Sequence, residues 1–347
     1  MDFVASMTHR PNELRQIIDM WRASGDERNP FARTIYTPLF AQQGVKQLMI
    51  DEYRSAGGVM FDSGGYFVQQ GNITYESLYQ KLKTFYNENR WGSWYVLPDY
   101  VPTSDLSPSE VEERIQATIT VTRLFYTEMP EELKDRALPV VQGYTREQIK
   151  ACVDAYADLG VSYVGFGSFA TSGMNNSINM IQNQSYEMAA FVKEQADKHN
   201  MKVHLFGIGT PEVLFKFMEL DIDSFDSSGW SRTAGYGNVY LPFIGRRSIT
   251  TRMIREVGGK AYRQEDFMLL KDATEHDCPF CRDYETLKHS RIKQMVHNLF
   301  VMMDTVEGLN RGEVIIPELV GINPSRYKSL RSRQHYHLPS VKEHDDE

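Results

Sequence analysis

The sequence has only three cysteines, too few for the disulfide framework of a secreted domain. It also has no apolar run long enough to cross a bilayer, since the longest candidates are the short stretches 137–141 and 299–303. No basic segment precedes a long apolar stretch at the amino terminus, so no secretory signal is expected. These absences predict a cytoplasmic protein with no membrane segment.

The chain also lacks an excess of positive charge, since acidic residues outnumber basic ones by 46 to 38. A net charge of −8 argues against a surface that binds nucleic acid over its whole area, so a polyanion would need a local basic patch. The chain shows no internal repeat and no low-complexity linker. With 41% hydrophobic and 24% charged residues, it has the composition of an ordinary globular protein, and one large domain is the default expectation.

What the sequence does contain is a series of short β-like runs, most of them followed by a segment of helical periodicity. This alternation predicts a parallel sheet covered by helices. The six recognisable units favour an α/β fold of the TIM type, a closed barrel, with a doubly wound open sheet as the alternative. The predicted strands are 58–62, 94–99, 138–142, 163–167, 203–207 and 222–226, and the predicted helices are 109–125, 146–159, 184–199, 211–220 and 287–306.

The predicted strands end in polar or glycine positions, and in a parallel barrel the catalytic groups lie at these carboxyl ends. Two carboxylates at one mouth can divide the work of glycosidic chemistry, one attacking the anomeric carbon and the other moving protons. An aspartate at a strand end is more often a turn or cap residue, so this pattern alone does not make Asp226 a nucleophile. The residues at strand ends are Asp62, Asp99, Gln142, Gly167, Gly207 and Asp226.

The turn D-S-G-G-Y at 62–66 follows one of these strands. Paired glycines allow a tight turn and the close approach of a flat ligand. Asp62 could accept hydrogen bonds from a planar heterocycle while Tyr66 stacks on its face. The alternative is a simple strand-terminating turn with a solvated aspartate.

A second group of residues has the spacing of a metal site. Two sulfurs and two imidazoles are enough to close a tetrahedral zinc site with no open position, which predicts a structural zinc ion. Asp277 and His289 are alternatives for the first ligand, whereas Cys152 lies on an apolar helical face and is predicted to be a core thiol. The candidate ligands are His276, Cys278, Cys281 and His297.

Four segments occur in an order that resembles the tRNA-guanine transglycosylase superfamily: FDSGGY at 61–66, VVQG at 140–143, GIGTPE at 207–212 and IDSFD at 222–226. The resemblance covers about residues 30–305. It implies a (β/α)8 barrel with a zinc-bearing insertion.

We accordingly expect a catalytic barrel at 1–265, a zinc-binding subdomain with a closing helix at 266–320, and a polar tail at 321–347. The resemblance implies that Asp226 is the nucleophile that bonds to the sugar carbon as guanine leaves, and that Asp62 is the general acid and base. The residues implied to bind the base are Ser63, Tyr66, Asp99, Gln142, Gly167, Ser168, Phe206 and Gly207, with Tyr66 and Phe206 on its two faces.

An arginine-rich segment follows the proposed nucleophile. Arg232 matches an arginine that trails the family's nucleophile, and with Arg246 and Arg247 it is expected to neutralise phosphates beside the target nucleotide. A solvated loop is the ordinary alternative. His204 lies within an apolar strand and is predicted to be an interior residue, and Trp230 could either stack on a base or pack in the core.

The segment 226–235 departs from the usual tRNA enzyme, and the chain shows no appended RNA-binding domain. This compact form resembles the phage and bacterial branch that inserts 7-deazaguanine derivatives into DNA, in the host cytoplasm if the protein is phage-encoded. We predict exchange of guanine in DNA for a free base such as 7-cyano-7-deazaguanine, with tRNA as the alternative substrate. A base-releasing hydrolase and a non-catalytic nucleic-acid-binding partner subunit are the other hypotheses. The resemblance also allows a homodimer.

Overall fold

The computed structural model describes residues 1–103, 105–167, 185–250, 263–317 and 333–337. Ser168, one of the predicted base-binding residues, lies outside them. The chain forms two compact units. The barrel unit comprises Met1–Arg15, Asn29–Gly209 and Glu219–Ser228, and the second unit comprises Gln16–Arg28, Thr210–Met218 and Gly229–Glu347.

The barrel unit is built on one parallel sheet. Its strands follow the order β5-β4-β3-β2-β1-β9-β8-β7-β6. Numbered along the chain, they are β1 (Asp2–Ser6), β2 (Thr34–Tyr36), β3 (Val59–Phe61), β4 (Trp94–Val96), β5 (Ala137–Leu138), β6 (Val140–Val141), β7 (Tyr163–Phe166), β8 (Lys202–Leu205) and β9 (Ser224–Ser227).

Pro139 divides what is otherwise one strand into β5 and β6, because proline has no N–H to donate to a neighbouring strand. β5 pairs with β4 on one side and β6 pairs with β7 on the other. The carbonyl of Pro139 itself accepts the N–H of Gly165 at 2.8 Å. Counted as one strand, the two halves close the nine strands into a ring of eight. The predicted α/β barrel is thereby confirmed.

Helices alternate with these strands, and their starts follow local capping signals. Ser107 with Glu110 and Thr145 with Gln148 form capping boxes at the starts of two helices. The helices up to residue 197 are α1 (Pro11–Ala23), α2 (Gln43–Tyr53), α3 (Gly65–Gln69), α4 (Tyr75–Glu88), α5 (Pro108–Glu128), α6 (Glu131–Lys134), α7 (Arg146–Ala157) and α8 (Ser185–Asp197).

Side chains along each strand alternate between the barrel interior and the helical layer. One interior layer consists of buried apolar residues from successive strands: Val4, Ile35, Met60, Val96, Leu138, Val140 and Tyr163. Two residues further along a strand, the same alternation brings the next side chain inward. Ser6 follows Val4, Asp62 follows Met60 and Gln142 follows Val140 in this way. The interior therefore changes from apolar to polar at the carboxyl ends of the strands.

Besides the part of α1 from Gln16 onward, the described residues of the second unit form α9 (Pro211–Phe217), α10 (Gly229–Gly235), α11 (Gln264–Ala273), α12 (Tyr284–His289) and α13 (Arg291–Asn310). Antiparallel strand pairs join β10 (Asn238–Leu241) to β11 (Gly245–Ser248) and β12 (Glu313–Pro317) to β13 (Arg333–His337). The helix expected at 287–306 is interrupted at Ser290, whose side chain caps α13 by accepting the N–H of Lys293. Within the described ranges, none of the helices has both the length and the apolar content needed to cross a membrane.

Candidate active site and metal centre

Asp226 lies on β9 near its carboxyl end and is 8% exposed. The hydroxyl of Ser6 donates to Oδ2 at 2.5 Å, and the backbone N–H of Gly207 donates to Oδ1 at 2.8 Å. Gly207 has φ of 74°, a conformation that residues with a side chain rarely adopt. Both carboxylate oxygens are therefore held by donors in a place that excludes most water, and the anion keeps one orientation.

Asp62 follows β3 and is only partly exposed. Burial raises the pKa of Asp62, and the negative charge of Asp226 raises it further. The hydroxyl of Thr37, which donates to Oδ2 at 2.6 Å, opposes this rise. A carboxyl group with a raised pKa can hold a proton where an ordinary aspartate is ionised, as a general acid must.

Asp99 follows β4 and is 6% exposed. The hydroxyl of Ser63 donates to its Oδ1 at 3.0 Å, and the side-chain amide of Gln142 donates to its Oδ2 at 2.7 Å. A Cβ atom on Gly65 would lie 2.4 Å from Oδ1, so the close approach of this turn requires glycine. Burial, with a further contribution from the charge of Asp62, raises the pKa of Asp99 to about 6.

We expect Asp99→Asn to stabilise the protein at neutral pH. The pKa of Asp99 is raised from 3.8 to about 6 on folding, so ionising it lowers stability as the pH rises from about 4 to about 6. The asparagine carries no such charge. The free energy of unfolding should therefore increase by about 2–3 kcal/mol at pH 8, with little change at or below about pH 4.

Chemical denaturation of both proteins at the two pH values measures this difference. Asp135→Asn, the same substitution at an exposed position, is the matched control and should show no comparable change. An equal stabilisation by Asp99→Asn at both pH values would contradict the argument.

Two aromatic residues predicted to hold a base differ in their surroundings. Tyr66 is 45% exposed on the turn after Asp62. Phe206 is partly buried and packs against the apolar layer of the barrel interior, where a Cβ atom on Gly165 would lie 2.2 Å from its ring. Gly167 is buried and directly follows β7.

The second unit brings two thiols and two imidazoles together. The candidate ligand atoms lie within 4.8 Å of one another, and all four residues are buried. Cys278 Sγ is 3.4 Å from Cys281 Sγ and 3.3 Å from His297 Nδ1. Ligand atoms around a tetrahedral zinc ion lie roughly 3.3–3.8 Å apart, so these spacings suit a metal ion. The cluster consists of the four residues with the predicted spacing: His276, Cys278, Cys281 and His297.

The imidazoles are oriented by groups outside the cluster. His276 Nδ1 lies 2.6 Å from Asp304 Oδ2, and His297 Nε2 lies 3.0 Å from the carbonyl of Tyr240. Such outer partners fix the ring and leave the other nitrogen to bind metal. His276 Nε2 is buried and has no hydrogen-bond partner in the described part of the chain, as expected of a metal ligand.

The two alternative ligands do not join this cluster. Asp277 Oδ2 is paired with Arg282 at 2.8 Å, and the His289 side chain is 72% exposed.

The hydrogen bond from Cys278 lowers the pKa of the Cys281 thiol, which favours the thiolate form that a metal requires.

The family model described as queuine tRNA-ribosyltransferase matches residues 94–311. The chain belongs to this family. The match includes Asp99, Gln142, Asp226 and the four candidate metal ligands. Asp62 precedes the matched residues, so its place in the candidate site rests on the contacts and charges described above.

A tRNA-guanine(15) transglycosylase from Aeropyrum pernix is 26% identical over 275 residues, which cover 76% of this chain and 46% of the relative. The chain therefore spans about half the length of this curated relative.

The remaining predicted residues have the following positions in this family member. Arg232 on α10 and Arg246 on β11 are exposed, whereas Arg247 is partly buried, and all three belong to the second unit. Trp230 is fully buried, so it packs in the core and does not offer its ring to a base. Cys152 is buried, and its thiol donates to the carbonyl of Gln142 at 3.2 Å, as predicted for a core thiol.

Two hydroxyl groups of the candidate active site were not predicted. Ser6 ends β1 and Thr37 follows β2, two strands that the sequence pattern does not reveal. Each donates to one of the proposed catalytic carboxylates. The only local signal for them is a hydroxyl residue directly after a short β-branched or aromatic run.

Proposed function

We propose that this protein is a base-exchange transglycosylase that replaces guanine in a nucleic acid with a 7-deazaguanine derivative. The observation that carries the proposal is the group of three carboxylates, Asp62, Asp99 and Asp226, which follow or end strands of one barrel. Burial raises the pKa values of Asp62 and Asp99. The negative charge of Asp226 raises the pKa of Asp62 further, and that of Asp62 raises the pKa of Asp99 further. Paired carboxylates with different proton affinities are what cleavage of a glycosidic bond requires.

In the first step, a carboxylate oxygen of Asp226 attacks C1′ of the target nucleotide as the bond from C1′ to N9 of guanine breaks. Asp62 gives its proton to the departing base, which leaves as neutral guanine. The sugar then remains attached to Asp226 as an ester. Ser6 and Gly207 hold the attacking carboxylate in place during this step.

In the second step, the incoming base gives its N9 proton to Asp62, and N9 attacks C1′. The bond from C1′ to Asp226 breaks, which restores the free carboxylate. Proton and bond changes balance over the two steps, so the reaction needs no further reactant. The low exposure of Asp226 supports exchange over hydrolysis, because water has little access to the ester.

Asp99 and Gln142 are proposed to bind the polar edge of the base, with Asp99 accepting from its N–H groups. Their mutual hydrogen bond positions both side chains before the base arrives. Tyr66 and Phe206 are proposed to lie on its two faces. The other proposed base contacts are Ser63, Gly167, Ser168 and Gly207.

We propose that the metal cluster holds zinc. Four protein ligands complete a tetrahedral site and leave no position for a substrate, so the ion would stabilise the second unit. The proposed chemistry is carried by the residues of the barrel unit.

DNA is the proposed nucleic acid, because the segment 226–235 departs from the usual pattern of the tRNA enzymes. Exposed Arg232 and Arg246, with Arg247, are proposed to contact phosphates. The target base must be turned out of the duplex before C1′ can be attacked. tRNA is the second candidate, and the similarity to a tRNA-guanine(15) transglycosylase favours it.

The deciding experiment gives the purified protein 7-cyano-7-deazaguanine together with either duplex DNA or tRNA. We expect the modified deoxynucleoside to appear in DNA digests, with one guanine released for each base incorporated. Nucleoside analysis by mass spectrometry measures both products. Incorporation into tRNA alone would refute the DNA assignment, abasic sites without incorporation would indicate a hydrolase, and no reaction with either substrate would favour a non-catalytic subunit.

A further inference from the structure

Three buried polar side chains, those of His204, Ser224 and Tyr163, form a hydrogen-bonded series that begins beside Asp226. His204 on β8 is fully buried, and its Nε2 lies 3.5 Å from Asp226 Oδ1. Its Nδ1 lies 2.5 Å from the hydroxyl oxygen of Ser224, which is also hydrogen-bonded to the hydroxyl of Tyr163. The sequence pattern indicates only that His204 is an interior residue.

We infer that His204 is a positioning residue that directs an N–H towards Asp226, and that Ser224 and Tyr163 fix the tautomer this requires. The inference rests on the proposed function, because it assigns His204 a task in the reaction of Asp226. His204 Nε2 is buried and has no hydrogen-bond partner in the described ranges, and Asp226 supplies the carboxylate oxygen beside it.

The placement of the hydrogens in this series of hydrogen bonds follows from counting the available donors and acceptors. Burial raises the pKa of Tyr163 to about 12, so its phenol keeps its hydrogen, and the inferred direction has this hydrogen donated to Ser224. Ser224 then donates its own hydrogen to His204 Nδ1, which leaves the ring hydrogen on Nε2. If His204 Nδ1 instead donated to Ser224, a lone pair on Nε2 would face the carboxylate of Asp226. Two acceptors would then meet with no hydrogen between them.

This donor matters most in the second step of the proposed reaction. When the bond between C1′ and Asp226 breaks, negative charge returns to the carboxylate, and an N–H aimed at Oδ1 stabilises it. The resting separation of 3.5 Å is long for a hydrogen bond, and such contacts commonly tighten in the reacting complex. Loss of the donor should therefore slow release of the sugar from Asp226 more than its capture.

The kinetic test compares His204→Phe, which fills the site without a donor, with His204→Gln, whose amide can replace the Nε2–H. We expect His204→Phe to lower kcat by about 10- to 100-fold with little change in KM for the incoming base. A larger fraction of the enzyme should be trapped as the covalent adduct on rapid denaturation. His204→Gln should recover kcat to within about threefold of the unmodified enzyme.

Ser224→Ala leaves His204 in place but removes the group that fixes its tautomer. A smaller loss of kcat is expected, and the double variant with His204→Phe should be no worse than His204→Phe alone. Unchanged kcat in His204→Phe, a defect confined to KM, or no rescue by His204→Gln would overturn the inference. Thermal unfolding of each variant identifies any that fail to fold.

A measurement on the unmodified protein does not depend on activity. Nitrogen NMR of ¹⁵N-histidine-labelled protein, with His204 assigned from the His204→Gln spectrum, should show hydrogen on Nε2 and none on Nδ1. A proton on Nδ1 would overturn the inference, whether or not base exchange occurs. Absence of exchange with the expected tautomer would instead refute the proposed function alone.

Discussion

Asp226→Asn is expected to reduce base exchange by about 10⁴-fold or more and to abolish the covalent adduct. Asparagine has nearly the same shape, and its amide oxygen can accept the N–H of Gly207 while its amide nitrogen donates to Ser6. The fold should therefore be retained. What is lost is the anionic oxygen that bonds to C1′, and the neutral amide is too weak a nucleophile to replace it.

Release of labelled guanine and trapping of the protein–nucleic acid adduct measure the two effects. Asp223→Asn is the matched control, because it makes the same change just before the amino end of β9, where Asp223 accepts the N–H of Val203 at 2.9 Å. The control should still form the adduct. Exchange by Asp226→Asn above about 1% of the unmodified rate would contradict the assignment of Asp226 as nucleophile.

We expect either Cys278→Ser or Cys281→Ser to lower the stability of the protein more than any of the other substitutions described above. Structural zinc sites contribute roughly 10–16 kcal/mol of binding free energy, which is comparable with the whole stability of an ordinary domain. Without the ion, the second unit would contain a buried group of two imidazoles and the remaining thiol around an empty centre. We expect protein without zinc that unfolds at least about 10 °C lower or fails to fold.

Elemental analysis and thermal unfolding provide the measurement. Cys152→Ser is the control, because Cys152 is also a buried cysteine but lies in the barrel unit outside the cluster. It should retain one zinc ion per chain. A Cys278→Ser protein that lacks zinc but unfolds at the same temperature as the unmodified protein would exclude a structural role for the metal.

Several parts of the candidate site are visible in the sequence because their signals are local. Buried parallel strands are continuous apolar runs, so the residues that end them, Asp62, Gln142 and Asp226, can be recognised without knowing how the strands pair. The candidate metal site is recognisable for a similar reason, since Cys278 and Cys281 are three residues apart. His297 lies on the following long helix.

Other parts depend on strand pairing. β1 and β2 are short, and a run of three residues such as 34–36 has no periodicity to detect. Ser6 reaches Asp226 across 220 positions of sequence because β1 pairs with β9. His204 faces Asp226 because β8 pairs with β9 in the register that places His204 opposite Ser224. Such contacts are set by the closure of the sheet.

The sequence by itself therefore determined the barrel class, the carboxylates at the strand ends and the spacing of the candidate metal ligands. All of these depend on residues close together in the chain. Only the tertiary structure decided that Ser6, Thr37 and His204 stand beside the carboxylates. It also decided that Pro139 joins two short strands to close the barrel, and that Asp304 turns the Nε2 of His276 towards the other candidate metal ligands. The physical reason is that burial, strand register and the mutual repulsion of carboxylates arise only when distant segments meet.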